Sequence, residues 1–136
     1  MAEKLLRLDV ITPERLVVSV DVNWVLAPGE AGEFQVFQEH TPFLTGLQLG
    51  QVTYDQDGTL NILSVSGGFC EVMPDRVLIL AHTAERAENI DRARAEAARD
   101  RANDRLTHKD TVAIDEMRAR MALQRAINRI KVSDSL

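Results

Sequence analysis

The stretch that decides the fold reads AERAENIDRARAEAARDRANDRL and covers residues 84–106. From Ala87 onward it is dominated by alanine and arginine, and both are strong helix formers. The chain from Glu88 to Val132 contains no proline, whereas all four prolines lie before residue 86. We therefore predict two domains, a strand-rich one over residues 1–86 and a helical one over residues 87–136.

The charge of the chain changes at the same boundary. Residues 1–86 contain 5 Lys and Arg against 12 Asp and Glu, a net charge of −7. Residues 87–136 contain 11 against 9, a net charge of +2. An acidic β domain joined to a mildly basic helical arm suits a protein in which one part docks and the other moves or senses. The overall charge of −5 argues against nucleic acid as a partner, because phosphate binding usually needs a strongly basic surface.

Cysteine content and apolar runs bear on the compartment. A single cysteine, Cys70, excludes an internal disulfide and is typical of a reducing compartment. Charges interrupt every apolar stretch of residues 1–12, so we expect no signal peptide. No apolar run approaches the roughly 20 residues of a transmembrane helix, so any action at a membrane would go through a partner.

The first 86 residues read as short strands separated by turns. Residues 5–12 alternate, with Leu6, Leu8 and Val10 on one face, which is typical of a strand with one wet face. The sequence Asp55-Gln56-Asp57-Gly58 is typical of a hairpin turn. Further strands are predicted over residues 16–20, 22–27, 34–37, 43–49, 51–54, 59–66, 69–73 and 76–81, with breaks at Pro28-Gly29, Gly50 and Gly67-Gly68. Eight to ten short strands at this spacing predict a β-sandwich or flattened barrel.

The helical segment is predicted to form two antiparallel helices. Asp91 can cap the first, which should run to about Leu106, and Asp115 can cap the second unless that helix begins a turn earlier. A polar break over residues 107–112 separates them. Each helix has an alanine stripe, formed by Ala95, Ala98, Ala102 and Leu106 on the first and by Ala119, Ala122, Ala126 and Ile130 on the second, with Leu123 and Ile127 beside them. Alanine stripes let helix axes approach to about 8 Å. They bury little area, however, so we expect a hairpin that can open.

Residues that carry catalysis do not form any recognisable pattern. The three histidines lie without metal-ligand spacing, at His40, His82 and His108. Gly67-Gly68 is not followed by the Lys and Ser or Thr of a phosphate-binding loop, and we interpret the pair as structural glycines. Cys70 is interpreted as a small core hydrophobe, and Trp24 as a core or sheet-face residue rather than a ligand platform. We expect no enzyme activity from this chain alone.

The arginines of the helical segment are a more informative signal. Arg94 and Arg101, seven residues apart, share a helix face, as do Arg125 and Arg129, four apart. If the helices fold back antiparallel, four guanidinium groups could converge and bind an oligophosphate through bidentate hydrogen bonds. The alternative is that these arginines pair with Glu88, Asp100 and Asp104 on a solvated helix surface. The residues alone leave both interpretations open.

Several short motifs, taken in order along the whole chain, resemble one known family. They are Gly32-Glu33-Phe34, His40, Pro42-Phe43-Leu44, Ser66-Gly67-Gly68-Phe69, Pro74-Asp75-Arg76-Val77 and Ala84-Glu85-Arg86-Ala87, followed by the two-helix tail. In this combination the chain is similar to the epsilon subunit of bacterial F-type ATP synthase. The resemblance implies an α+β fold, with an N-terminal flattened β-sandwich of about ten strands followed by a C-terminal antiparallel two-helix hairpin.

The same resemblance implies a non-catalytic subunit of the central stalk. The sandwich would bind the gamma subunit and the c-ring, as part of the rotor of a proton-translocating enzyme. The hairpin would inhibit ATP hydrolysis when it extends into the catalytic head of alpha and beta subunits. Such a subunit would lie peripherally at the cytoplasmic face of the bacterial plasma (inner) membrane, held there only through the complex. It would have no nucleic-acid partner, no metal and no required cofactor.

The resemblance also implies two sets of binding residues. ATP is implied as a regulatory ligand by the motif Ile/Leu-Asp-x-x-Arg-Ala, which this chain matches in full with Ile90, Asp91, Arg94 and Ala95. In family members that bind ATP, the further contacts correspond to Glu85, Arg101, Arg125 and Arg129. The contacts with the c-ring correspond to Glu33 and His40. Just before that histidine the chain has Gln38-Glu39 in place of the common Pro-Gly pair, which adds a carboxylate to the loop.

Two other classes of function compete with this one. The first alternative is a free-standing nucleotide-sensing protein whose hairpin closes on ATP, and such a protein would not need stable association with a gamma subunit. The second is a small RNA-binding protein that uses the arginine-rich helices. The aromatic content of 4% and the net acidity argue against RNA binding.

Overall fold

The computed structural model describes residues 5–107 and 113–136. Within them, eight strands precede a short 3₁₀ helix and two α-helices. The strands are β1 (Leu6–Ile11), β2 (Leu16–Val22), β3 (Trp24–Gly29), β4 (Gly32–Phe37), β5 (Phe43–Gln56), β6 (Thr59–Met73), β7 (Arg76–Ala81) and β8 (Ala84–Arg86). The helices are the 3₁₀ helix Ala87–Asn89, α1 (Arg92–Thr107) and α2 (Ala113–Ser133). The chain divides into two compact units between Arg86 and Ala87.

The β unit is built on two long strands. Its sheet has the order β2-β1-β7-β6-β5-β3-β4, with β8 added to β6. All neighbours are antiparallel except β1 and β7, which are parallel. β5 and β6 have 14 and 15 residues, and one half of β6 pairs with β8 while the other half pairs with β7. The sheet thus closes over one core as a flattened β-sandwich, which confirms the predicted fold class.

The strand number is lower than the expected ten or so, because two predicted breaks do not occur. The segments predicted on either side of Gly50 form the single strand β5, and those on either side of Gly67-Gly68 form β6. Gly67 and Gly68 do have positive φ angles of 90° and 124°. A Cβ atom on Gly68 would lie 2.0 Å from the carbonyl oxygen of Leu80 on β7. These glycines therefore permit a close approach of two strands, as their structural interpretation predicted, instead of ending a strand.

Pro28 was also expected to end a strand, and this prediction is wrong. It lies inside β3, opposite Glu33 of β4. The register between β3 and β5 shifts between Leu26 and Gly29, so Pro28 sits at an irregularity of the ladder. A proline is tolerated there because its missing N–H removes no regular hydrogen bond. The short strand β8, which follows from pairing with β6, was not predicted.

The core of the β unit consists of aliphatic side chains. Leu6, Leu8 and Val10 are all fully buried, as the alternation of β1 predicted. Cys70 is fully buried among them, and its burial raises the pKa of the thiol to about 12. The thiol is thus neutral at physiological pH and packs as a small hydrophobe.

The predicted turn between β5 and β6 is present at Asp57-Gly58. Both residues have positive φ angles, 52° and 86°. Two successive residues of this kind between paired strands are typical of a type I′ turn, whose twist matches that of the strands.

The helical unit begins with a capped helix. The Asp91 carboxylate accepts a hydrogen bond from the backbone N–H of Arg94 at 3.0 Å, which confirms Asp91 as the cap of α1. Helix α2 begins at Ala113, so Asp115 lies in its first turn and is not its cap. Of the polar break predicted over residues 107–112, Thr107 ends α1, and residues 108–112 lie outside the described part of the chain.

Helices α1 and α2 pack against each other through alanine. Arg92 at the start of α1 forms an ion pair with Asp134, directly after α2, so the two helices run antiparallel as predicted. The buried residues of the two helices are Ala95, Ala102, Ala119, Ala126 and Val132. Ile127, which was placed beside the alanine stripe, is instead 48% exposed. Neither helix, as far as the structure describes them, is long and apolar enough to cross a membrane.

Candidate functional site

The start of α1 brings the four motif residues together, and their side chains divide by polarity. Ile90 and Ala95 are buried, and the backbone N–H of Ile90 donates to the carbonyl of Ala87 at 3.3 Å. The side chains of Asp91 and Arg94 are exposed. The apolar motif residues therefore anchor the helix start, while the polar ones present a carboxylate and a guanidinium group to solvent.

The other arginines predicted for the site lie farther along the two helices. Arg101 on α1 and Arg125 on α2 are exposed, and Arg129 is half-buried. Within α1 and α2, ion pairs join Arg92 to Glu96, Arg99 to Asp100 and Arg120 to Glu116. Within the described residues, the guanidinium groups of Arg94, Arg101 and Arg125 make no ion pair. The simple surface-pairing interpretation thus accounts for other arginines, not for these three.

The antiparallel register places the arginines of the two helices at similar levels. The fixed point is the ion pair between Arg92 and Asp134. Because both helices advance by about 1.5 Å per residue, residues equally far from this pair lie at the same height. Arg101 and Arg125 are each nine residues away from it. Arg94 is level with Val132, less than one turn from Arg129. The arginines therefore lie at two heights along the hairpin. Arg94 and Arg129 lie near the Arg92–Asp134 ion pair, and Arg101 and Arg125 lie farther from it.

The contact that fixes this register was not predicted from the sequence. Arg92 joins Asp134 across the hairpin and also pairs through Nε with Glu96 at 2.9 Å along its own helix. The pair with Glu96 could be read from the spacing of four residues. The pair with Asp134 depends on how far the second helix runs back, and only the structure shows it.

Glu85 belongs to a different element from the rest of the predicted nucleotide site. It lies on β8, opposite Ser64 of β6, and is half-buried. The remaining seven residues of that predicted site belong to the helical unit.

Of the two predicted ring-contact residues, His40 ends a row of aromatic rings, and Glu33 is the sequence neighbour of the ring at its other end. Phe34 packs edge-on against Phe43 with ring centroids 5.1 Å apart, and Phe43 packs against His40 at 5.3 Å. Glu33 precedes Phe34 on β4 and is exposed. His40 lies in the loop after β4, and its Nδ1 atom is 2.8 Å from the carbonyl of Thr41. Glu33 is therefore on a strand, and only His40 is on a loop.

The loop around His40 is held in an unusual backbone conformation. Glu39 has a φ angle of 64°, in the left-handed region that favours glycine. Its N–H donates to the carbonyl of Pro74 at 2.7 Å, which ties the loop to the turn before β7. Glu39 thus has a backbone conformation that glycine adopts more readily.

The fold defines a class of protein, in which a β-sandwich is followed by a two-helix tail. The family described as "ATP synthase, Delta/Epsilon chain, beta-sandwich domain" matches residues 5–87. The one described as "ATP synthase, Delta/Epsilon chain, long alpha-helix domain" matches residues 88–134. The two matches meet one residue after the boundary between the two units.

Curated relatives agree over nearly the whole chain. The ATP synthase epsilon chain of Desulforamulus reducens is 47% identical over 128 residues, which are 94% of this chain and 96% of the relative. That of Syntrophobacter fumaroxidans is also 47% identical, over 98% of each chain. The chain belongs to the ATP synthase epsilon chain family, whose members are non-catalytic subunits.

Solved structures show the same fold at lower identity. A chain of the mitochondrial ATP synthase of Euglena gracilis, solved as OSCP/F1/c-ring, superposes with a TM-score of 0.76 at 20% identity. That match covers 88% of this chain and 76% of the other. A chain of the central stalk and c-ring of the Tetrahymena thermophila enzyme superposes with a TM-score of 0.62 at 10% identity, over 98% and 99% of the two chains.

Proposed function

We propose that this chain is a rotor subunit of a proton-translocating F-type ATP synthase. Its β unit links the gamma subunit to the c-ring, and its helical hairpin regulates ATP hydrolysis by the alpha and beta subunits of the catalytic head. The subunit lies peripherally at the cytoplasmic face of the bacterial inner membrane, attached through the complex. The observation that carries the proposal is the division of one chain into a β unit with an aliphatic core and a hairpin held by buried alanines. We call these alanines, Ala95, Ala102, Ala119 and Ala126, the alanine seam.

The hairpin has the energetics of a switch. Its buried residues are mostly alanines, which remove little apolar area from water when the helices pack. The ion pair that closes its ends, Arg92 with Asp134, is about half exposed on both sides, and exposed pairs contribute about 0–1 kcal/mol. Opening the hairpin is therefore cheap compared with unfolding the β unit. An opened arm rich in arginine would find compensating contacts on acidic surfaces of the catalytic head.

ATP is the proposed regulatory ligand of the closed hairpin. The Asp91 carboxylate at the helix start can accept from an adenine amino group, and Arg94 is exposed one turn later. Arg101, Arg125 and Arg129 supply further guanidinium groups for phosphate oxygens. A triphosphate would bridge the two helices and offset the repulsion among their arginines. It would therefore favour the closed hairpin by mass action.

The size of this effect decides whether the ligand can act as a switch. A ligand present at 100 times its dissociation constant stabilises the form it binds by about 2.7 kcal/mol. That is a factor of roughly 100 in the ratio of closed to open hairpin, enough to move a near-balanced equilibrium from one form to the other.

Titration of ATP into the full chain, with and without magnesium, tests the nucleotide site. Calorimetry should show binding by the native chain, and Arg94→Ala should lose most of it. Arg99→Ala is the matched control, because Arg99 is on the same helix but is paired with Asp100. Asp91→Ser separates ligand contact from capping, since serine still caps a helix but has no carboxylate. No heat at millimolar ATP would remove ATP from the proposal, and equal binding by Arg94→Ala would remove Arg94 from the site.

Association with the gamma subunit separates a rotor subunit from a free-standing nucleotide sensor. The native chain should be retained by immobilised gamma subunit, and so should a chain that ends at Ala87, because the proposed docking surface lies in the β unit. Deletion of residues 90–136 should raise ATP hydrolysis by the assembled enzyme. Failure of the full chain to bind gamma would favour the sensor, while loss of binding only in the short chain would make the helices the anchor.

Cross-linking tests the orientation of the β unit on the ring. Cysteines introduced at Glu33 and at His40, in the assembled enzyme, should cross-link to cysteines in the c-subunit loops. Cross-links that form only with alpha or beta subunits would reverse the proposed orientation.

A further inference from the structure

A cavity of about 340 Å³ opens where β3, β4 and the β5–β6 turn meet. Two aromatic and two acidic side chains line it, together with Asn23 and Gly58. The strand register explains the arrangement, because Phe37 of β4 lies opposite Trp24 of β3, and Trp24 lies opposite Asp55 of β5. Asp57 completes the lining from the turn.

The aromatic part of this cavity faces outward. Phe37 is 54% exposed and Trp24 is half-buried. Exposed rings side by side on one sheet face offer flat π surfaces to a ligand. Trp24 thus lies on a sheet face, as predicted, and its ring is partly accessible to a ligand.

The acidic part of the cavity is available for a cation. Neither Asp55 nor Asp57 has an ion-pair partner within the residues that the structure describes, and the side chain of Asp57 is exposed. No group of three or more metal-binding side chains occurs in that part of the chain, so the pair does not make a metal site. Two carboxylates beside two rings are complementary to an organic cation.

Hydrogen bonds with Asn23 fix the backbone that carries the two carboxylates. The N–H of Asn23 donates to the carbonyl of Asp55 at 2.8 Å, and the Oδ1 atom of Asn23 accepts from the N–H of Asp57 at 3.0 Å. The positive φ angles of Asp57 and Gly58 fix the turn itself. A preorganised site of this kind loses little conformational entropy on binding.

We propose that this pocket binds an arginine side chain of a partner protein. A guanidinium group is planar, stacks on aromatic faces and donates bidentate hydrogen bonds to carboxylates, which matches both halves of the pocket. The pocket lies at the end of the sheet order, beside β4, and an edge strand is a template for an extended chain. A polypeptide is therefore a better occupant than a small free cation. The proposal does not depend on ATP binding or on the ring contacts of Glu33 and His40.

The single tryptophan of the chain makes the pocket directly observable. Trp24 emission is recorded while the full chain is titrated with the peptide acetyl-Gly-Arg-Gly-amide, and separately with the same peptide carrying lysine or citrulline. The arginine peptide should change the emission and saturate in the millimolar range, which is typical of one side chain binding alone. Citrulline has the shape of arginine without its charge, so it should produce no saturable change.

Variants test each half of the pocket. The double variant Asp55→Asn, Asp57→Asn should bind the arginine peptide about tenfold more weakly, since charge-assisted hydrogen bonds are lost. Asparagine tolerates the left-handed backbone of position 57, so the turn is retained. Asp75→Asn, an exposed carboxylate on another turn, is the matched control and should bind as the native chain does. Phe37→Ala should also weaken binding while leaving Trp24 as the reporter.

Three results would overturn the assignment. An equal response to citrulline would show that charge plays no part, and an equal response to lysine would remove the preference for a guanidinium group. Undiminished binding by both the double variant and Phe37→Ala would place the peptide elsewhere on the surface.

Discussion

The two units of this chain bury different side chains, and the difference predicts that the hairpin opens more easily than the β unit unfolds. The β unit has fully buried leucine, isoleucine and valine, and each such side chain contributes about 1.5–3 kcal/mol when it leaves water. Helices α1 and α2 meet through four alanines and Val132. Alanine contributes far less area, so the hairpin depends on its closing ion pair, its helix cap and any ligand. We therefore expect the β unit to resist unfolding, whereas a small free energy should be enough to open the hairpin.

The largest effect is expected from the core of the β unit. Ile79 is fully buried on β7, between Val10 of β1 and Cys70 of β6. Ile79→Ala should lower the free energy of unfolding of this unit by about 2–5 kcal/mol, because it leaves a cavity. Urea denaturation followed by Trp24 emission measures it. A loss well under 1 kcal/mol would show that this core is less tightly packed than the burial indicates.

A second prediction concerns the close approach of β6 and β7 at Gly68. Gly68→Ala forces a Cβ atom toward the Leu80 carbonyl and onto a φ angle of 124°, which costs about 1–3 kcal/mol from backbone strain alone. Gly58→Ala is the matched control, since its φ angle is also positive but no atom lies within 4 Å of the new Cβ. The control should cost only about 1–2 kcal/mol. Equal losses of stability in the two variants would mean that the close approach of β6 and β7 contributes nothing.

The fold was largely predictable because its strong signals are local. Alternation in β1, the Asp57-Gly58 turn and the Asp91 cap each depend on a few neighbouring residues, and each is confirmed. The errors concern glycine and proline, which usually end strands. Here the strands continue through them, because pairing with strands that are distant in sequence stabilises the extended backbone. Gly50 pairs with Val65 of β6, and Gly68 pairs with Leu47 of β5 and Ala81 of β7, so neither glycine interrupts its strand.

The third prediction tests the alanine seam directly. Ala126→Leu places a larger side chain between α1 and α2 and should destabilise the closed hairpin by about 1–3 kcal/mol, since the buried site has no room for it. The exposed residue Ala97 gives the control variant Ala97→Leu, which should leave the hairpin closed. Limited proteolysis of the helices measures opening, and the β unit should stay resistant in both variants. Equal protection of the helices in the two would show that the seam is not tightly packed.

The candidate site was predictable only where its residues are close in sequence. Ile90, Asp91, Arg94 and Ala95 form one helix start, and the structure keeps the two polar side chains exposed as a ligand would need. The register of Arg101 with Arg125 depends on the pair Arg92–Asp134, which joins residues 42 positions apart. The aromatic and acidic pocket around Trp24 likewise comes from three strands and a turn. ATP binding at the hairpin stays a prediction.

The smallest effect is expected at the helix cap. Asp91→Ala removes the carboxylate that accepts from the N–H of Arg94 and should cost about 1 kcal/mol of helix stability. The loss should be local, because the β unit has no part in this hydrogen bond. Hydrogen exchange at the Arg94 amide reports it most directly, since that N–H loses its acceptor. Exchange there should accelerate in Asp91→Ala and stay near the native rate in Asp91→Ser, which retains a capping oxygen. An unchanged rate in Asp91→Ala would show that packing of Ile90 and Ala95 alone orders the first turn, and the hairpin would then be firmer at this end than its alanine seam indicates.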